Sequence, residues 1–369
     1  SRPILPDIVY KLRGVGDPAL SPDGSRLAYT QSWVEQGDGM EARSRIMMLD
    51  LPGGHSREFT QGNKDTVPKF SPDGRTLAFL RPDDTGKRQV WRMEAGGGEA
   101  RSLTNAPGGV TEFSWSPNGQ RLVICADVDP EASDEDTGSI PKTRVVRRIR
   151  YRYDTVGWRG DAHHHLFIVD ADGDNLRQIT DGDWDDLSPK WSPDGASIAF
   201  LSGRRDDRDF RALIELYVVA AGGGEAELRS EGLSGVGAVT WSPGGDRMAV
   251  LATEDPDGLV AWQAWLYVME PGQSTERLTD DSIKPYLGFP SINQPPELAW
   301  TEDGRILLLG DKQGESFLFE IPVGGGPVRT VAGGGCQSTA LTLDQKAGQA
   351  VVLSSTPGSP GDLFQIEVA

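Results

Sequence analysis

Few residues of this 369-residue chain are grouped for catalysis. A serine nucleophile on an elbow needs Gly-x-Ser-x-Gly between a strand and a helix. The nearest run, Gly232-Leu233-Ser234-Gly235-Val236, lacks the last glycine and sits in a turn pattern. There is no phosphate loop, no dinucleotide fingerprint and no His-Glu-x-x-His pair. No catalytic residue is therefore assigned. The histidines are His55 and the run His163-His164-His165. Consecutive strand residues face opposite ways, so only His163 and His165 could share a ligand. The run is expected to be a solvent-facing lead into a strand. Asp181, Asp183, Asp185 and Asp186 lack a complete calcium-loop frame and are expected to cap turns between repeats. No metal site and no cofactor are expected.

A row of arginines is the best functional candidate. Residues 142 to 152 carry Lys142, Arg144, Arg147, Arg148, Arg150 and Arg152. From Arg148 the chain alternates, with Arg148, Arg150 and Arg152 on one face and Ile149, Tyr151 and Tyr153 on the other. That spacing predicts a strand with a guanidinium face and an aromatic face. Guanidinium groups suit bidentate contact with carboxylates. Three partners fit: a peptide carboxylate, another domain, or the acidic stretch Asp129 to Asp136 just upstream. Internal salt bridges are the commonest fate of such a run. Arg159-Gly160-Asp161 is too short a match to carry weight.

The elements that must hold these residues are repeats. Trp191-Ser192-Pro193-Asp194-Gly195 is a tight turn: proline presets φ, Ser and Asp bond nearby amides, and Gly accepts positive φ. Lys190-Trp191 ends one strand, and Ile198-Ala199-Phe200-Leu201 forms the next. The same hairpin recurs at Ser21, Ser71, Ser116, Ser242 and Thr301, with a worn copy at Leu343 to Lys346. Seven copies at intervals of about 45 to 50 residues indicate propeller blades. A third strand, a glycine turn and a fourth strand often ending in Leu-Thr follow most copies. The expected fold is all-β, a seven-bladed β-propeller of four-stranded antiparallel blades. Residues 1–16 are a lead-in with a short helix, and 17–369 are the propeller. An insertion falls at about 128–162 in blade 3. Blade 7 is expected to be incomplete, since no fourth strand follows Asp362 to Glu367. Trp115, Trp191, Trp241 and Trp300 occupy one equivalent position and are expected to pack between blades.

A formal charge of −18 argues against nucleic acid and anionic membranes as partners. No apolar stretch is long enough to span a bilayer. Cys125 and Cys336 fall in different blades, and sparse cysteine fits a reducing, cytoplasmic setting. Assembly as a homo-oligomer stays open.

The hairpins resemble several propeller groups, including the periplasmic propeller protein of the Tol system. More specific is the segment Arg150-Tyr151-Arg152-Tyr153-Asp154, Gly157-Trp158, His165 to Asp170, Gln178 to Asp185 and Trp191 to Gly195. It resembles the middle of the propeller in prolyl oligopeptidase family serine peptidases, in the acylaminoacyl-peptidase and dipeptidyl-aminopeptidase branch. Asp7 to Arg13 with Asp17 to Gly24 is similar to the start of that propeller. The resemblance implies a non-catalytic role: gating and orienting short peptide substrates for a C-terminal α/β-hydrolase domain absent from this chain. It also implies that Arg150, Tyr151, Arg152, Tyr153 and Trp158 face the substrate chamber or the hydrolase interface. A stand-alone propeller that scaffolds protein partners is the alternative.

Overall fold

The computed structural model describes residues 5–37, 39–130, 145–153, 157–211, 213–254, 263–271, 274–286, 297–344 and 348–368. Seven antiparallel sheets follow one another along the chain. Blades 1 to 7 start at Gly14, Thr66, Val110, Asp186, Ser234, Lys284 and Gln337. Blades 1 to 5 have four strands each, and in blade 6 Lys284–Pro285 and Ala299–Trp300 share the innermost position. Blade 7 has three strands among the described residues, Gln337–Asp344, Gln349–Thr356 and Ser359–Glu367. The lead-in forms a 3-10 helix, Pro6–Tyr10, adds no strand to blade 7, and from Gly14 already runs in the first strand of blade 1, Gly14–Leu20.

The turn that opens each blade is built the way its residues require. Ser21 Oγ donates to Asp23 Oδ1 at 2.6 Å and accepts the Arg26 amide at 2.9 Å. Gly24 sits at φ 69°, where a side chain would be strained. Ser71, Ser192 and Thr301 repeat the bond with Asp73, Asp194 and Asp303. In Ser242-Pro243-Gly244-Gly245 the aspartate is missing, and Asp246 Oδ1 takes the Ser242 hydroxyl instead at 2.8 Å. The Leu-Thr ending has an equally local cause. Thr60, Thr104, Thr180 and Thr279 accept the amides of Ile46, Val90, Leu166 and Leu266 through Oγ1. Each hydroxyl extends the ladder by one bond where the short outer strand ends.

Each second strand has an apolar run, such as Leu77 to Leu80 or Ile306 to Leu309, because both of its faces are buried there. In blade 2, Leu77 and Phe79 pack toward blade 1, while Ala78 and Leu80 pack toward blade 3. This period-2 division gives one core at each of the seven seams. The tryptophans lie in or against these cores and also bridge blades. Trp115, Trp191 and Trp241 each donate Nε1–H to a carbonyl of the preceding blade, those of Lys69, Ser114 and Lys190, all at 3.2 Å. The arginine after the turn completes the seam: Arg26, Arg121 and Arg247 lie over Phe70, Trp191 and Trp300 of the following blade.

The ring closes by packing, with no strand shared between the described parts of blades 7 and 1. Leu20, Leu27, Tyr29 and Met47 meet Val351, and the Leu20 amide donates to Thr342 Oγ1 at 3.3 Å. Cys125 and Cys336 are free thiols. No described helix is long and apolar enough to cross a membrane.

Candidate functional site

All the opening turns join first and second strands, so they lie on one rim. The second-to-third connections lie on the opposite face, and the longest is the insertion. It leaves blade 3 after Val128 and returns at His163, its paired neighbour. Residues 131–144, which include most of the acidic stretch, together with Lys142 and Arg144, lie outside the described residues.

The alternating strand expected from Arg148 is mostly absent. Only Arg152–Tyr153 is extended and paired, with Gly157–Trp158, in a two-stranded hairpin. Tyr151 packs on Trp158, ring centroids 5.3 Å apart. Arg148 leaves the row altogether. Its guanidinium contacts Asp183 and lies 3.7 Å from Asp209 and 3.9 Å from Asp161. It is 15% exposed, and it clamps the insertion to blade 4. Internal pairing is thus the fate of Arg148, with partners in blade 4 and in the insertion itself. Arg150 and Tyr153 line a small cavity, about 120 Å³, beside Arg159, His163 and Trp184. Arg150 and Arg152 have no carboxylate partner among the described residues.

The histidine run is paired, not solvent-facing. His165 is buried, with Nδ1 3.2 Å from Asp186 Oδ2. His164 Nδ1 lies 2.8 Å from Asp127 Oδ1, and its Nε2 faces the Arg159 guanidinium at 2.9 Å. Arginine can only donate, so this Nε2 is the acceptor and Nδ1 carries the ring proton. His163 sits between Asp183 and Asp185, at 3.3 and 3.6 Å. Asp183, Asp185 and Asp186 therefore hold side chains of the insertion and of blades 3 and 4, rather than capping turns. Burial opposes ionisation of Asp185. His163, the Arg159 guanidinium and the His164 amide outweigh it and hold the carboxyl at about 2. Among the described residues no group of three or more His, Cys, Asp or Glu side chains could hold a metal ion.

Between the insertion and blade 4 lies a cavity of about 650 Å³. Five carboxylates line it, Asp161, Asp181, Asp183, Asp206 and Asp209, against three guanidinium groups, Arg147, Arg148 and Arg208. An acidic lining favours cations and does not suit a peptide carboxylate.

A second constellation, not singled out by motif, lies on the propeller axis. The innermost strands enclose a cavity of about 360 Å³ lined by Lys69, Glu112, Lys190 and Glu297 among others. Lys69 Nζ donates to the Phe113 carbonyl at 2.8 Å. Burial and the Lys190 charge both push the Lys69 ammonium down, and burial pushes the Glu112 carboxyl up. Position relative to the turn is the signal: both lysines stand two residues before the turn serine, and both glutamates four before the turn Ser or Thr.

Seven consecutive antiparallel sheets, each packed face to face on the next, define a β-propeller. The chain belongs to the PD40 family, TolB beta propeller domain, whose model matches residues 7–134 and 141–366. It is 30% identical over 221 residues to the "uncharacterized peptidase YuxL" of Bacillus subtilis, covering 58% of this chain and 34% of that protein. Against dipeptidyl-peptidase 5 of Porphyromonas gingivalis it is 25% identical over 359 residues, 90% of this chain and 49% of that protein. The chain thus spans about a third to a half of these curated relatives. The solved Pyrococcus horikoshii acylaminoacyl peptidase superposes with a TM-score of 0.73 at 19% identity, over 96% of this chain and 51% of that one. At that identity the likeness shows the fold.

Proposed function

We propose that this propeller is the non-catalytic half of a serine peptidase, covering the active site of an α/β-hydrolase domain and admitting short peptides. The observation that carries this reading is coverage: this chain matches about half of peptidases along nearly its whole length. The proposed working face is the one bearing the insertion. There Arg150 and Arg152 have no carboxylate partner among the described residues, Tyr151 packs on Trp158, and Tyr153 lies in the same hairpin. Guanidinium groups would hold peptide carbonyls or a carboxylate, and the Tyr151–Trp158 pair would stack on side chains. Arg148 would act only as a positioning residue.

The test is peptide-hydrolysis kinetics of the native enzyme with Arg150→Ala plus Arg152→Ala. A rise in KM of about tenfold or more with kcat little changed is expected, since one or two charge-assisted bonds of about 1.5–3 kcal/mol each are lost. Unchanged KM and kcat would remove the site assignment.

A further inference from the structure

The small cavity beside the insertion hairpin, about 120 Å³, is basic although the protein is strongly acidic. Five guanidinium groups line it against three carboxylates. Four of the five are committed. Arg148 and Arg208 contact Asp183, Arg159 lies 3.0 Å from both Asp185 and Asp127, and Arg211 lies 3.3 Å from Asp207. Arg150 is half-buried and has no hydrogen-bond or ion-pair partner among the described residues. A second donor in the same wall is also unmet: the indole N–H of Trp184 is buried and has no acceptor among them. Buried donors without acceptors are uncommon in folded proteins, because each costs free energy that an acceptor would recover. Leu187, Leu213 and Ile214 make part of the wall apolar.

We propose that this cavity binds a single carboxylate on a short apolar stem, with Arg150 as its cation. Charge and size set the class. One uncommitted guanidinium matches one carboxylate, whose two oxygens suit its fork. A dianionic phosphate would bring a second charge up to Asp183, Asp185 and Asp209 with no free cation to meet it. The volume is about the share of four molecules in liquid water, which suits the end of a side chain. The apolar wall suits the methylene stem behind the charge. An acidic side chain and the carboxyl end of a peptide both offer this chemistry. The inference rests on the reading of the insertion face as the one that meets peptides, and it names what that face reads in them.

Isothermal titration of the 369-residue chain tests this with four probes. Three are acetyl-Gly-X-Gly-amide, with Glu, Gln or phosphoserine at X, and the fourth is acetyl-Gly-Gly-Gly with a free carboxylate. The Glu probe or the free-carboxylate probe should bind about tenfold tighter than the Gln probe or better, as a charge-assisted contact requires. The tighter of the two assigns the carboxylate to a side chain or to a chain end. Arg150→Gln, which breaks no ion pair, should abolish the preference. The inference is overturned by no binding, by equal binding of the Glu, Gln and free-carboxylate probes, by tightest binding of the phosphoserine probe, or by a preference that survives Arg150→Gln. Any of these with a raised KM in the Arg150→Ala plus Arg152→Ala enzyme would remove the carboxylate site alone. With an unchanged KM, the reading of the face falls too. The ligand series needs no variant, so a misfolded mutant cannot mask the answer.

Discussion

Asp65 and Arg81 form a bidentate pair within blade 2, with Nε to Oδ1 at 2.7 Å and Nη2 to Oδ2 at 2.8 Å. Asp65 is fully buried, and the guanidinium lies over Phe79 and Trp91. Blade 4 repeats the device with Asp186 and Arg204, 2.8 Å apart, the guanidinium over Phe200 and Tyr217. Gly62 makes room for it in blade 2, since a Cβ there would stand 2.1 Å from Asp65 Oδ1. Removing only the carboxylate leaves a cation among aromatic rings. Asp65→Ala should therefore cost about 3 kcal/mol in urea denaturation, and the double change Asp65→Ala with Arg81→Met should cost less. A double variant weaker than the single one would refute this reading of the pair.

The Trp191 bond to the Ser114 carbonyl separates ring packing from hydrogen bonding at one seam. Trp191→Phe keeps an aromatic ring and loses the N–H, and should cost about 1 kcal/mol plus the loss from a smaller ring. Trp191→Ala opens a cavity and should cost about 3–5 kcal/mol. Equal losses in the two variants would mean that the seam does not depend on the ring.

Acid should loosen the clamp between blades 3 and 4. The Asp185 carboxyl is held at about 2, below the value near 4 of an unfolded chain. A depressed carboxyl contributes stability that is complete above the unfolded value and is lost as pH falls toward the folded one. The urea midpoints of wild type and Asp185→Asn should therefore differ by the full amount at pH 5 and above and converge as pH falls to 2. A gap that stays constant or widens would contradict the pairing described for His163, Arg159 and Asp185.

The closing seam should open first. Among the described residues, five buried apolar side chains form the core between blades 1 and 7, against seven or more at every other seam. Each fully buried large apolar side chain is worth about 1.5–3 kcal/mol, so this difference outweighs most single polar contacts. Amide exchange in the 369-residue chain should be faster in Ser359–Glu367 than in the third strands of blades 2 to 5. Uniform protection around the ring would show that closure is as strong as the other seams.

The blades were legible because each turn declares itself through Ser, Pro, Asp and Gly at fixed spacing, and because doubly buried second strands leave an unbroken apolar run. The tryptophans were legible for the same reason: one position, repeated. The insertion was located but not its contacts. Arg148 finds Asp183 and Asp209 in another blade, and nothing in the local alternation of arginine and tyrosine encodes those partners. The histidine run misled because strand alternation says which residues share a face, not that each face meets a neighbouring blade's aspartate. Lys69, Glu112, Lys190 and Glu297 went unnoticed because a single charged residue in a short strand resembles solvated surface. Only the ring brings the four to one axis.

The most direct measurement is the intact mass of the native protein captured from its source cells, with labelling by a fluorophosphonate serine-hydrolase probe. A mass well above the 39.9 kDa of this chain, with covalent labelling, is expected if the propeller is half of a serine peptidase. A mass near 39.9 kDa without labelling would contradict it.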